Sequence, residues 1–141
     1  MWVSLLLVVL AIPLWAIAHT ESRAVQCNRI STVVNQAARD AIDTGKSSSL
    51  DKVGVLQKAS ESDSQYAKQL EAVQVKDESL KRFQSRFIKM YQDRSKAGRD
   101  VVEAAKRKDI AAVSSASQVL QNATVQETPL VEEFNQYCKG K

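Results

Sequence analysis

Glycine and proline are scarce in this chain of 141 residues, four and two respectively. A sheet protein of this length needs more turn residues than that. Abundant Ala, Gln, Lys, Ser and Val point the same way, toward long helices joined by tight turns. The expected fold class is all-α. Histidine is rarer still, with His19 alone, which leaves no Ser-His or Cys-His pairing for nucleophilic catalysis and no Glu-x-x-His pair for a di-iron bundle site. The lack of a C-x-x-C-H sequence excludes covalent haem attachment. Zinc-finger spacing, an RNP signature and a glycine-rich loop are missing too. The net charge of +4 comes from 20 basic and 16 acidic residues that are mostly interspersed, the pattern of a solvated surface and not of a nucleic-acid interface. The reading is of a non-enzyme with no cofactor, no metal and no nucleic-acid partner.

Ionisable side chains are also absent from residues 1–18, MWVSLLLVVLAIPLWAIA, whose apolar run is broken only by Ser4 and Pro13. Such a run enters a membrane. As a secretory signal it has an apolar centre, a helix-breaking Pro13 and an Ala16-Ile17-Ala18 triplet before His19, but no Lys or Arg at its start. As an anchor it sits at the short end of what spans a bilayer, with Trp2 and Trp15 placed for the two interfaces. The missing basic start tilts the reading to an uncleaved anchor, with cleavage after Ala18 as the alternative. The remainder, residues 19–141, is one domain with room for a single modest core.

Arg23 and Arg29, just after this segment, favour a body held in the cytoplasm by the positive-inside tendency. The two cysteines argue otherwise. Cys27 and Cys138 stand near the two ends of the body with 110 residues between them. An up-down-up-down four-helix bundle returns both chain ends to one end, which brings the thiols within bonding distance. A disulfide there is worth about 4–5 kcal/mol through loop-closure entropy and implies an oxidising compartment. Two unrelated buried thiols are the alternative. Gln26 before Cys27, where a small residue is needed, speaks against a lipoprotein.

Along the body, Cys27, Ile30, Val34, Ala37, Ala38 and Ala41 recur at helical spacing and predict a first helix from about Ser22 to Asp43, ended by Gly45. After the polar loop Lys46-Ser47-Ser48-Ser49, Ser49 is the expected N-cap of a second helix from Leu50 to about Val75. Its inner stripe is Val53, Leu56, Ala59, Tyr66, Leu70 and Val73, with Asp63 falling on the same stripe. Asp77 is placed to cap a third helix, Glu78 to about Arg107, with Leu80, Phe83, Phe87, Tyr91, Val101 and Ala105 inward and with Arg94 and Gly98 interrupting the stripe. Asp109 then caps a fourth helix with stripe Val113, Ala116, Leu120, Ala123, Leu130, Phe134 and Tyr137, broken at Thr128-Pro129. Short connections make consecutive helices antiparallel neighbours.

The densest aromatic stretch, FQSRFIKMYQDRS at 83–95, sets Phe83, Phe87 and Tyr91 on one helix face, with Arg82, Arg86 and Lys89 on the flank. The rings read as the thickest layer of the core and the basic stems as its rim. Residues 76–109 carry 11 basic against 6 acidic residues, so Arg82, Arg86, Lys89, Lys96 and Arg99 are candidates for docking a partner. Tyr91 with Arg94, and Tyr66 with Asp63, are candidates for lining a small polar pocket. Glu132-Glu133 reads as a solvated acidic pair, and Asn122-Ala123-Thr124 as a sequon of consequence only in a eukaryotic secretory pathway.

Three segments, QCN-x-I (Gln26 to Ile30), FQSRF-x-x-MYQ (Phe83 to Gln92) and NQYC-x-GK (Asn135 to Lys141), resemble a group of small cyanobacterial proteins with an N-terminal hydrophobic segment. The resemblance implies a helical domain, exported or membrane-anchored, with paired terminal cysteines. It implies no activity and no site residues. The expected role is a membrane-tethered structural or interaction module that faces the periplasm or thylakoid lumen and binds another protein. The alternative is a small-ligand-binding or sensor-like bundle with its ligand near Arg94 and Gly98.

Overall fold

The computed structural model describes residues 21–46 and 51–140. The apolar segment at 1–18, His19 and the expected Ser49 cap lie outside the described residues. Five helices follow one another: α1 Arg23–Gly45, α2 Lys52–Ala72, α3 Glu78–Lys106, α4 Ile110–Thr124 and α5 Glu127–Cys138. No strand occurs among the described residues, and the protein is an all-helical bundle.

Short acceptor side chains start four of the helices. Ser22, Asp51, Asp77 and Asp109 each accept from the backbone N–H three residues on, at 3.3, 2.7, 2.9 and 3.0 Å, which satisfies donors that a helix start leaves without partners. Asp51 thus takes the role expected of Ser49. The second helix also stops at Ala72, short of Val75, because side chains supply what further helical turns would. Gln84 donates to the Leu70 and Val73 carbonyls at 2.6 and 2.8 Å, while Gln26 accepts from the Lys76 and Asp77 amides at 2.6 and 3.0 Å. With its polar groups satisfied this way, the 73–77 connection runs extended and turns Val73 and Val75 onto the core.

The fourth arm breaks at Val125-Gln126, ahead of the expected Thr128-Pro129. Pro129 instead sits in the first turn of α5, where the backbone N–H it lacks has no helical partner to lose. Contacts between arms fix their directions. Asp40 with Tyr66 and Gln26 with Lys76 set α1 against α2; Tyr66 with Tyr91 and Asp63 with Arg94 set α2 against α3; Phe83 with Tyr137 and Arg94 with Glu127 set α3 against α5. In each pair the higher number on one helix meets the lower on the other, so these arms run antiparallel. At the end where α1 begins and α5 finishes, Cys27 and Cys138 are bonded, with Cα atoms 5.9 Å apart.

Burial divides the bundle into two halves. In the disulfide half, Cys27, Ile30, Val34 and Ala37 of α1 meet Tyr66, Ala67 and Leu70 of α2, Leu80, Phe87, Met90 and Tyr91 of α3, and Leu130 and Phe134 of α5. Phe87 is fully buried and meets Phe134 edge-on, with ring centroids 5.6 Å apart. The other half is thinner. Its buried apolar residues are Ala97, Val102, Ala104 and Ala123, and Val53, Leu56, Ala59, Val101 and Ala105 of the expected stripes are half-exposed. Ala38 and Ala41, expected inward, are exposed, since α1 contributes to the main core only as far as Ala37.

Gly98, which interrupts the α3 stripe, marks a close approach of α2. A Cβ built there would overlap Ser60 Oγ and stand 3.3 Å from Ser60 Cβ and 3.5 Å from Leu56 Cδ1. Around this point Ser60 donates to the Leu56 carbonyl at 2.8 Å and Ser95 to the Ser60 carbonyl at 2.7 Å.

Two stability outcomes follow from this packing. Phe87→Ala is expected to remove about 3–5 kcal/mol in chemical denaturation, as truncation of a fully buried ring does. Gly98→Ala gains about 1 kcal/mol of helix propensity but overpacks the α2–α3 contact by about 1–3 kcal/mol. The net effect expected is destabilisation, largely recovered in Gly98→Ala/Ser60→Ala, where the overlapping hydroxyl is gone. Equal effects of Gly98→Ala with and without Ser60 would show that this contact is not what demands glycine.

Candidate functional site

Between the two halves lies a layer of polar side chains at the point where sequence periodicity fails. Arg94 of α3 donates from its Nε toward Asp63 of α2 at 3.2 Å and from a terminal nitrogen to Glu127 of α5 at 2.8 Å. Its guanidinium lies 5.6 Å from the Tyr91 ring centroid. The side chains of Arg94 and Asp63 are only 13% and 11% exposed, so the charges have little water and depend on one another.

The helices deliver these groups without strain. Asp63 and Arg94 face each other because α2 and α3 run antiparallel from the 73–77 connection. Glu127 arrives because the fourth arm breaks at Val125-Gln126, three residues ahead of the expected position, which also puts its carboxylate in the first turn of α5, where the helix dipole favours a negative charge. Glu127 is the member that periodicity did not reveal. The legible signal was a pair of opposite charges on facing stripes.

Burial pushes the Asp63 carboxyl up to about 6; Arg94 draws it down, and Glu127 pushes it further up. Two carboxylates around one guanidinium give the ionised cluster a net negative charge in a dry place, and one proton relieves it. Tyr91, whose hydroxyl is buried with no hydrogen-bond partner among the described residues, is raised far above the ordinary phenol range by burial and by Glu127. Tyr66 donates to Asp40 across α1 and α2, not to Asp63, and burial with that hydrogen bond pushes its hydroxyl up to about 12. The expected pairing of Tyr66 with Asp63 is therefore replaced by Tyr66 with Asp40 and Asp63 with Arg94. The expected pocket at Tyr91 and Arg94 is occupied by the cluster's own side chains, and the principal surface clefts are lined by other residues. No three His, Cys, Asp or Glu side chains converge to hold a metal among the described residues.

The basic flank of α3 is distributed over three faces. Arg82 and Arg86 border a cleft against α5 with Phe83 and Tyr137, and Lys89 borders a second with Pro129 and Leu130. Lys96 lines the α3–α4 groove, while Arg99 faces α2. Most of these cations meet oxygens of the chain itself: Arg86 meets Glu133 at 2.5 Å, Lys89 meets Asp93 at 2.6 Å, Lys96 meets Asp100 at 2.7 Å, and Arg99 donates to Ser95 Oγ. Arg82 donates to Ser79 Oγ at 2.7 Å and has no carboxylate partner among the described residues.

The raised Asp63 value sets a direction of pH dependence. A carboxyl that binds its proton more tightly when folded adds stability below its unfolded value, near 3.8, and that contribution is lost as pH rises through about 6. The loss is on the order of 2–3 kcal/mol. Thermal melting of Asp63→Asn against the unsubstituted protein from pH 4 to 7 is expected to show this decline in the latter only. Parallel curves would mean that Asp63 titrates as an ordinary surface carboxyl.

The chain matches no protein-family model, no curated protein and no solved structure.

Proposed function

We propose that the chain is a non-catalytic, membrane-tethered interaction module. In this reading an up-down-up-down four-helix bundle is held by residues 1–18 in an envelope or thylakoid membrane, with its body on the extracytoplasmic side, and binds another protein of a complex in that membrane. The observation that carries the binding role is the surface of α4. This helix buries only Ala123 and leaves Ile110 78%, Val119 55% and Val125 63% exposed beside its ends and its groove. The α3–α4 groove, about 310 Å³, has Ala97, Val119 and Ala123 as its apolar part and Asp93, Lys96 and Asp100 at its edge. An apolar strip inside a rim of mixed charge is the layout of a protein–protein contact. Pairing of Cys27 with Cys138 supports the oxidising compartment, and the resemblance to small cyanobacterial membrane or exported proteins supports the kind of membrane.

Capture experiments with the full chain in host membranes test this. The unsubstituted protein is expected to retain a protein partner after detergent solubilisation, and Val119→Glu to lose it with melting unchanged within about 0.5 kcal/mol, as for other exposed positions. Undiminished capture by Val119→Glu would remove the α3–α4 groove as the contact. A chain recovered with both cysteines free would remove the extracytoplasmic placement.

A further inference from the structure

The cleft against α5 has a chemistry that protein docking at α4 does not use. Phe83 and Tyr137 form its aromatic wall, with ring centroids 5.7 Å apart, and Ser79, Arg82 and Arg86 complete the lining of about 310 Å³. The Arg86 guanidinium lies 5.7 Å from the Phe83 ring centroid, and that of Arg23 lies 5.1 Å from the Tyr137 ring centroid. Acidic groups near the cleft are already engaged. Asp77 caps α3 and accepts from the Tyr137 hydroxyl at 2.8 Å, and Glu133 meets Arg86 on the exposed rim. Arg82 is left without a carboxylate partner among the described residues, so the cleft presents guanidinium donors beside aromatic rings to whatever enters it.

Position along the chain narrows the occupant. Arg23 follows Ala18, the last residue of the apolar segment, by five positions, a span of at most about 18 Å when fully extended. The polar headgroup layer on each face of a bilayer is itself about 5–8 Å thick. Arg82 and Arg86 lie only about 6 and 12 Å along α3 from its start at Glu78, at the end of the bundle where Arg23 and the Cys27–Cys138 bond are found. If the apolar segment sits in a bilayer, this end of the bundle lies against the headgroups. Tyrosine at such a boundary, and guanidinium groups able to grip a phosphate through paired N–H donors, match that environment.

We propose that this cleft holds the anionic phosphodiester headgroup of a lipid from the bilayer that anchors the chain. Arg82 binds the phosphate, Arg86 adds a second donor by exchanging its exposed Glu133 partner for a phosphate oxygen, and Phe83 with Tyr137 pack against the glycerol region, so that the bundle stands in a fixed orientation on the membrane. This rests on the tethered reading of residues 1–18 given above. An acidic peptide segment is the competing occupant, disfavoured because nothing brings one to this end, whereas the tether brings lipid there.

Native mass spectrometry of the full chain, extracted from its host membranes and exchanged into micelles containing equal phosphatidylglycerol and phosphatidylcholine, tests the assignment. One phosphatidylglycerol is expected to be retained with about fivefold preference, on the scale of one basic side chain without a carboxylate partner at an anionic surface. Arg82→Gln/Arg86→Gln should bring the preference near parity without changing melting, while Lys106→Gln/Lys108→Gln, at the opposite end of α3, should leave it intact. Equal retention of both lipids by the unsubstituted chain, or an undiminished preference in the arginine variant, overturns the proposal. Loss of a captured protein from the arginine variant, with no lipid preference in the unsubstituted chain, assigns the cleft to an acidic peptide. The same spectra report whether residues 1–18 are present. A chain that keeps them and shows no preference fails the headgroup site alone, and a chain that lacks them fails the tether on which the site depends.

Discussion

A guanidinium with little access to water sets the arrangement of this bundle. Arg94 lies inside α3, the helix that touches α2, α4 and α5, and an ion in that position is tolerated only if its charge is met and its donors are used. Asp63 and Glu127 meet it from two other helices. Removing the guanidinium would leave two carboxylates crowded with no counter-charge, a loss on the order of 3–5 kcal/mol. The need to bring Glu127 to Arg94 also accounts for the form of the fourth arm. An unbroken helix from Asp109 to Cys138 would advance on a single axis, whereas the turn at Val125-Gln126 lets α4 pack on the thin half and α5 on the aromatic half.

The ionic layer separates two kinds of packing. On the disulfide side, three phenylalanines, three tyrosines and the aliphatic residues of four helices fill the interior, and the connection at 73–77 is held by Gln26 and Gln84. On the other side, small residues let α2 and α3 approach at Gly98 and Ser60, and there is little interior to fill. The stable half is thus the one that contains both chain ends of the body, joined by Cys27–Cys138. Exposed apolar residues occur in both halves, Val25 beside the disulfide and Ile110 and Val119 on the thin half.

Charge on the surface behaves differently from charge in the layer. Lys89 and Lys96 reach carboxylates one turn along their own helix, and Arg86 reaches Glu133 across to α5, all in water, where such pairs contribute less than about 1 kcal/mol. They keep the face soluble and reduce the field that 11 basic residues between positions 76 and 109 would otherwise make. What remains distinctive is local: Arg82 with no acidic partner among the described residues, next to two aromatic rings.

The sequence by itself determined the helices, because their signals are local. Spacing of Ile30, Val34 and Ala37, or of Phe83, Phe87 and Tyr91, and single acceptors such as Asp77 and Asp109 act within a few residues and require no knowledge of neighbours. The meeting of Cys27 and Cys138 was legible too, since it needs only an even number of antiparallel arms of similar length. Tertiary structure decided what depended on partners. Whether Asp63 and Arg94 were flaws in their stripes or two members of one cluster rested on the register between α2 and α3, and Glu127 joined them only because the fourth arm broke at Val125-Gln126 and not at Pro129. Val73 left its helix for the side chain of Gln84, and the amides of Lys76 and Asp77 found Gln26, 50 and 51 residues distant. Hydrogen-bond partners and buried charges are chosen by proximity in space, and one chain's periodicity carries the faces of its helices but not the register in which those faces meet.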